Sequence, residues 1–207
     1  LIQEDLIVYE AAIVLRAEID ETAFEAFKGL VSEVIKEFGG EILLTDDWGA
    51  RIFSQPNKRG NRRGRYVYFI YSCEDGKVIK ELERRFKINE DCLNSLIIKK
   101  EISAEKMLKD YKNPFTGQVD AEGRSDRDVE KDRKRFARRK TCWFKANKVE
   151  PDWKYQTTYR WLINEFGKIS PKRITGLSSK YQRKATTEIK RARNIGMMGY
   201  MTNNPTA

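Results

Sequence analysis

The sequence predicts an α+β chain: a four-stranded sheet domain with two helices on one face, followed by a small, basic, all-helical domain. Three observations carry this. Apolar residues follow strand and helix periods in the order βαββαβ over about the first hundred positions. A stretch poor in apolar residues and broken by Gly and Pro then intervenes. Charge divides the chain at the same place: residues 1–110 carry 18 Lys and Arg against 21 Asp and Glu, whereas residues 111–207 carry 23 against 10.

Each element has its own signature. Residues 6–15, Leu-Ile-Val-Tyr-Glu-Ala-Ala-Ile-Val-Leu, are bounded by polar residues and rich in strand formers, which predicts a buried strand. A helix follows, with Asp20 placed to cap it, Phe24, Phe27, Val31, Val34, Ile35 and Phe38 at helical spacing, and Gly39-Gly40 as its stop. Residues 42–53 and 66–73 predict two strands joined by the long, polar, basic loop 55–64. Val78, Leu82 and Phe86 mark one face of a second helix that Glu74 or Asp75 can cap, and residues 92–98 predict the closing strand. The order is that of the ferredoxin-like fold, a scaffold that hosts many unrelated functions.

Residues 1–102 are therefore read as the sheet domain, 103–130 as linker and 131–207 as the basic helical domain. A flexible coil of the linker's length would span about 30 Å, from roughly 5–6 Å × √n. In the last part, residues 157–166 predict a helix with Tyr159, Leu162, Ile163 and Phe166 inward and Gly167 as its stop. The segment after Ser178 predicts a longer one. Wound at about 100° per residue, it puts Tyr181, Ala185, Ile189, Ala192 and Ile195 on one stripe and Lys180, Arg183, Lys184, Lys190 and Arg191 on the other. Ser178 or Ser179 is placed to cap it.

Composition narrows the chemistry. The chain has no histidine, which removes the commonest general base and the commonest metal ligand. Cys73, Cys92 and Cys142 are odd in number, far apart and without Cys-x-x-Cys spacing, so neither a disulfide framework nor a self-contained metal site is expected, and a reducing cytosol fits. No apolar stretch approaches the ~20 residues a membrane span needs, and the acidic start does not read as a signal peptide. No cofactor, no membrane and no small-molecule substrate are expected.

The positive charge points to a polyanion. In the run 131–140, Arg133, Lys134, Arg135, Arg138, Arg139 and Lys140 are placed to neutralise phosphates, or else to form a solvated charged tail. Phe136, Trp143, Phe144 and Trp153 offer flat surfaces for unpaired bases, or a small core. Between Pro171 and Gly176, Lys172 and Arg173 project from a tight turn suited to gripping a nucleic-acid backbone. In the third strand Tyr66, Tyr68 and Ile70 alternate with Val67, Phe69 and Tyr71; one set must pack under the helices, and the other leaves an apolar face for a binding partner.

Two resemblances follow from these residues. Lys140-Thr-Cys-Trp-Phe, Asp152-Trp-Lys154, Glu165-Phe-Gly-Lys-Ile-Ser-Pro-Lys-Arg173, Thr175-Gly176, Lys180-Tyr-Gln-Arg183 and Ile189-Lys-Arg-Ala-Arg193 stand in the order and spacing of the bacterial small-subunit ribosomal protein eighteen family, which residues 140–200 resemble. Residues 7–101 resemble the ribosomal protein six family through Tyr9-Glu10, Gly39, the basic hairpin and Ile97-Ile98-Lys99. The resemblance implies a non-catalytic, cytoplasmic constituent of the ribosome, bacterial or organellar, that binds small-subunit ribosomal RNA in the platform beside neighbouring small-subunit proteins. It places RNA contacts on Lys168, Lys172, Arg173, Lys180, Arg183, Lys190, Arg191, Arg193 and the basic run, and it seats the second domain on Tyr66, Tyr68 and Ile70. Some members of the eighteen family bind zinc at positions that here hold Cys142, Lys145, Ser178 and Tyr181; with one ligand left of four, no metal is expected. Gly199 stands where the family often has proline, which leaves the docking of the tail undetermined.

The families are ordinarily two polypeptides. Tethering raises the effective concentration of one module near the other to about the mM range, so their docking would not depend on protein concentration. Two other functions fit the residues less well. A hydrolase on the ferredoxin-like scaffold lacks a recognisable nucleophile or base, and a messenger-RNA regulator of the RNA-recognition-motif type would need the signature that Arg63-Gly64 begins and Arg65-Tyr66 abandons.

Overall fold

The computed structural model describes residues 7–115 and 142–201. The chain divides into two compact units, Leu1–Asn113 and Pro114–Ala207. No helix among the described residues is long and apolar enough to cross a membrane.

In the first unit the strands are β1 (Ile7–Arg16), β2 (Glu41–Ile52), β3 (Arg63–Cys73) and β4 (Cys92–Lys100), with α1 (Glu21–Glu37) and α2 (Lys77–Ile88) between them. They form one antiparallel sheet in the order β2-β3-β1-β4. This is the ferredoxin-like arrangement expected from the apolar periods. Tyr9, Ala11, Ile13 and Leu15 of β1 and Val67, Phe69, Tyr71 and Cys73 of β3 face the buried stripes of α1 and α2, where Phe27 and Phe86 meet at 5.7 Å. Gly40 follows α1 because a side chain there would meet the carbonyl oxygen of Ser72 at 2.5 Å. Asp20 stands at the start of α1, but its side chain accepts no capping bond; before α2 the Asp75 carboxylate does accept from the Lys77 amide at 2.9 Å.

The outer face of the sheet is also closed. Tyr66, Tyr68 and Ile70 are fully buried. Trp48, at a register shift in β2, stacks on Tyr68 at 5.0 Å and on Tyr66 at 6.4 Å. Glu10 is buried on this face and binds the Tyr68 hydroxyl and the Lys100 ammonium, each at 2.8 Å, so its charge is both paired and hydrogen-bonded.

The stretch 103–130, expected as linker, opens instead with α3 (Ala104–Asp110), which lies against β2. Tyr111 then stacks on Tyr68 at 5.1 Å, its hydroxyl accepts from Trp48 Nε1 at 2.9 Å and donates to Asp46 at 2.5 Å, and Asn113 reaches the same carboxylate at 2.8 Å. Within α3 itself Met107 is the buried side chain, too little to make a helical period readable.

The second unit contains α4 (Trp143–Ala146), α5 (Lys172–Thr175) and α6 (Ser179–Asn194). The helix expected over 157–166 does not form. Two single 3₁₀ turns, Gln156–Thr158 and Arg160–Leu162, are followed by an antiparallel bridge between Ile163 and Ile169. Asn164 causes the break: its side chain accepts from the Phe166 and Lys168 amides at 3.1 and 2.7 Å, a local turn that competes with helix. Tyr159 and Leu162 are buried as expected, whereas Phe166 is 68% exposed at the tip of the turn.

Candidate nucleic-acid interface

The basic helix α6 is built as its two stripes dictate. Ala185, Ile189 and Ala192 are buried, Ile195 follows at its end, and Ser178 caps its start by accepting from the Tyr181 amide at 3.5 Å. Lys180, Arg183, Lys184, Lys190 and Arg191 fall within an arc of about 120° on the other side, at 100° per residue. Lys180, Arg183 and Lys190 are exposed and have no carboxylate partner among the described residues.

Before it, α5 and the loop around it present two more cations. Gly176 ends α5 in the left-handed conformation, at φ 71°, and Leu177 plugs into the interior. Gln182 of α6 holds this loop from both sides: its amide nitrogen donates to the Ser170 carbonyl at 3.0 Å, and its oxygen accepts from the Thr175 hydroxyl at 3.0 Å. Lys172 donates to the Ser179 hydroxyl at 2.8 Å. Lys172, Arg173 and Ile174 line a cleft of about 440 Å³ together with Leu177, Ser178 and Cys142. Lys172, Arg173 and Lys168 are exposed.

Beneath this surface lies an aromatic cluster. Phe144 is fully buried and stacks on Tyr181 at 5.7 Å, while Trp143 and Trp161 meet edge to face at 5.8 Å. Trp153 is buried too, its amide donating to the buried Glu188 carboxylate at 3.2 Å. Tyr159, whose hydroxyl donates to the Trp153 carbonyl at 2.7 Å, has its pKa pushed up by burial and by the nearby Asp152 and Glu188.

Two family models match the chain: Ribosomal protein S6 over residues 8–99 and Ribosomal protein S18 over residues 147–198. Small ribosomal subunit protein bS6 of Nitratiruptor sp. is 33% identical over 122 residues, which cover 57% of this chain and 94% of that protein. Small ribosomal subunit protein bS18 of Treponema denticola is 47% identical over 68 residues, covering 33% of this chain and 76% of that protein. The chain belongs to both families. A crystal structure of 30S ribosomal protein S6 from Thermotoga maritima, 22% identical, aligns with 50% of this chain and 96% of its own at a TM-score of 0.44. As an S6 domain followed by an S18 domain, the protein is a structural component of the small ribosomal subunit and not an enzyme.

Within the S18 domain the basic residues named from sequence fall into two groups. Lys168, Lys172, Arg173, Lys180, Arg183 and Lys190 face outward. The other three are engaged inside the domain: Lys184 pairs with Glu150, Arg191 pairs with Glu188 at 2.6 Å, and Arg193 donates to the carbonyls of Gly167 and Gly199. Partial burial lowers the pKa of Arg193, whose guanidinium also lies 5.2 Å from the Tyr200 ring. With Gly199 bound in this way, the tail is docked through residue 200 without the proline usual in the family. Gly167 permits it, at φ 76° and with the Tyr200 carbonyl oxygen 2.0 Å from where a side chain would begin.

Phe144 and Trp153 form core in the S18 domain and offer no face to a base; Trp143 is half-buried. Sequence reasoning missed Gln182 and Glu188, polar residues whose roles depend on partners 12 and 35 positions away. Arg133, Lys134, Arg135, Arg138, Arg139 and Lys140, with Phe136, lie outside the described residues. Of the four positions that bind zinc in some relatives, Ser178 is the helix cap and Tyr181 is committed to its stack on Phe144. Those residues do not fit a zinc ion, and packing holds the corner instead.

Proposed function

We propose that the protein binds small-subunit ribosomal RNA in the platform, the central domain of that RNA, through the outward cations of its S18 domain. The observation that carries this reading is the set Lys168, Lys172, Arg173, Lys180, Arg183 and Lys190: exposed, without carboxylate partners among the described residues, and mounted on a loop and helix that Gln182 fixes together. Such cations gain affinity by releasing counterions from phosphates, and the rigid mounting lowers the entropic cost of presenting them. Neighbouring small-subunit proteins and the cytoplasmic ribosome complete the setting.

The S6 and S18 domains are further proposed to pack on each other through the outer face of the sheet around Tyr66, Tyr68 and Ile70, where Val8, Ala12 and Val14 continue the apolar surface. A sheet face of this kind needs an apolar cover: Trp48 and Tyr111 supply it over Tyr66 and Tyr68, and the row of Ile70, Val8, Ala12 and Val14 beside them is the part left for the S18 domain.

Footprinting of the central domain across a salt series tests the RNA reading, with Arg173→Ala and Arg183→Ala compared with the unaltered protein. Protection should weaken in both variants and fade as salt rises. Protection that is absent from the unaltered protein, or that neither substitution changes, would overturn it.

A further inference from the structure

The S6 domain carries a positively charged cleft of its own, at the end of the sheet where β1, the β2–β3 loop and the α2–β4 turn meet. The loop is not a free arm. Phe53 and Asn57 amides donate to the carbonyls of Arg62 and Asn61 at 2.9 and 3.0 Å, and the Asn57 side chain accepts from the amides of Arg59 and Asn61 at 2.9 Å each. This is a side-chain-stapled turn. Arg59 then reaches across to the Glu90 carbonyl at 2.9 Å, and the Arg16 amide binds the Asp91 carbonyl at 2.9 Å, so the three segments are fastened to one another.

The cleft they enclose measures about 510 Å³, and Arg16, Arg59, Arg62 and Arg63 stand on its walls with Asn61. Opposing charge is sparse. Glu18 is the acidic residue of the lining, and Asp91 meets Arg16 at 3.8 Å across a solvent-exposed gap, the kind of pair worth little. Arg62 and Arg63 are exposed, and their guanidinium groups have no carboxylate partner among the described residues. This concentration of guanidinium groups sits in a region, residues 1–110, whose charge sums to −3.

We propose that this cleft is a second RNA-backbone site, in which Arg62 and Arg63 bind phosphate oxygens while Arg16 and Arg59 supply the field that draws them in. Arginine's planar fork matches phosphate geometry with paired hydrogen bonds, and four such forks around one opening suit a chain of regularly spaced anions. A folded protein partner is disfavoured by the lining, because protein interfaces are anchored by aromatic and aliphatic side chains and Ala17 is the sole apolar residue here. The inference rests on the reading that the S18 domain binds ribosomal RNA, and it gives the S6 domain an RNA contact of its own.

The test uses the full chain and a transcribed central-domain fragment of small-subunit ribosomal RNA, with affinity measured from about 50 to 200 mM salt. Arg62→Ala with Arg63→Ala should lower the slope of log affinity against log salt by about 1.4–1.8, the change expected for two lost phosphate contacts. Arg62→Lys with Arg63→Lys should keep most of the slope. Thermal melts check that both pairs fold, which their exposure favours. A photo-reactive group in place of Asn61 should crosslink to RNA in reconstituted subunits. An unchanged slope in the alanine pair, beside a reduced one in Arg173→Ala, would overturn the cleft assignment and leave the S18 reading standing. Crosslinks to protein alone would also overturn it in favour of an acidic protein partner. Absence of salt-dependent binding by the unaltered chain would overturn both.

Discussion

The two domains solve the same problem, burying enough side chain to hold a shape, with different materials. In the S6 domain regular strands and helices supply long apolar rows, and these make up the inner face of the sheet. Among the described residues the S18 domain has one helix of any length, and around it the chain is held by an aromatic cluster and by polar side chains that reach across from α6: Gln182 to Ser170 and Thr175, Glu188 to Trp153, Arg193 to Gly167 and Gly199. The difference teaches that a small basic domain can spend some of its cations internally. Positive charge on α6 therefore does two jobs, and stripe position alone does not separate them.

That contrast is open to attack. The largest effect is expected from Phe144→Ala, which empties the centre of the aromatic cluster and should cost about 3–5 kcal/mol in urea unfolding followed by tryptophan fluorescence. A cost near that of a surface change would mean that the cluster does not organise the S18 domain. Gly167→Ala comes next, because it combines a left-handed backbone with a direct clash against the Tyr200 carbonyl. It should destabilise by about 2–3 kcal/mol and raise hydrogen exchange at residues 197–201; a tail as protected as before would refute the docking described.

In the S6 domain Tyr68→Phe removes one of the bonds to the buried Glu10 and should cost about 1–2 kcal/mol, less than the S18 changes because Lys100 still pairs with that carboxylate. The most gradual effect concerns pH. Burial pushes the Cys92 thiol up to about 11 from an ordinary value of 9.0. Between those values the unfolded chain has lost a proton that the folded chain retains, so stability should fall as pH rises, by at most about 1.4 kcal/mol per pH unit from this group. Cys92→Ala should flatten that part of the profile, and an unchanged alkaline slope would show that other groups govern it.

How much of this was legible depended on whether a feature was local. The sheet domain could be read because each strand and helix announces itself within about ten residues, and the two stripes of α6 likewise. Trp48 could not be placed on a face, since the register shift between Asp47 and Gly49 breaks the two-residue period at its position. The apparent helix at 157–166 had the right spacing, but Asn164 and Gly167 favour a turn, and Tyr159 finds its partner in Trp153. Among the basic residues, Arg193 and Arg191 looked like Lys190 in sequence. Only the positions of Gly167 and Glu188 in space reveal which cations are already committed.

The seat of Tyr111 bears on where this polypeptide tolerates being cut. Asp46, Trp48 and Tyr68 are covered by a segment that sequence alone would assign to the tether. A protease acting after Asn113, or a gene split there, would release an S6 domain with that cover intact. A break at residue 102 would take Tyr111 off that face, leaving Tyr68 and Trp48 partly open to water and prone to self-association. The fused chain's natural seam therefore lies 13 residues beyond the end of β4.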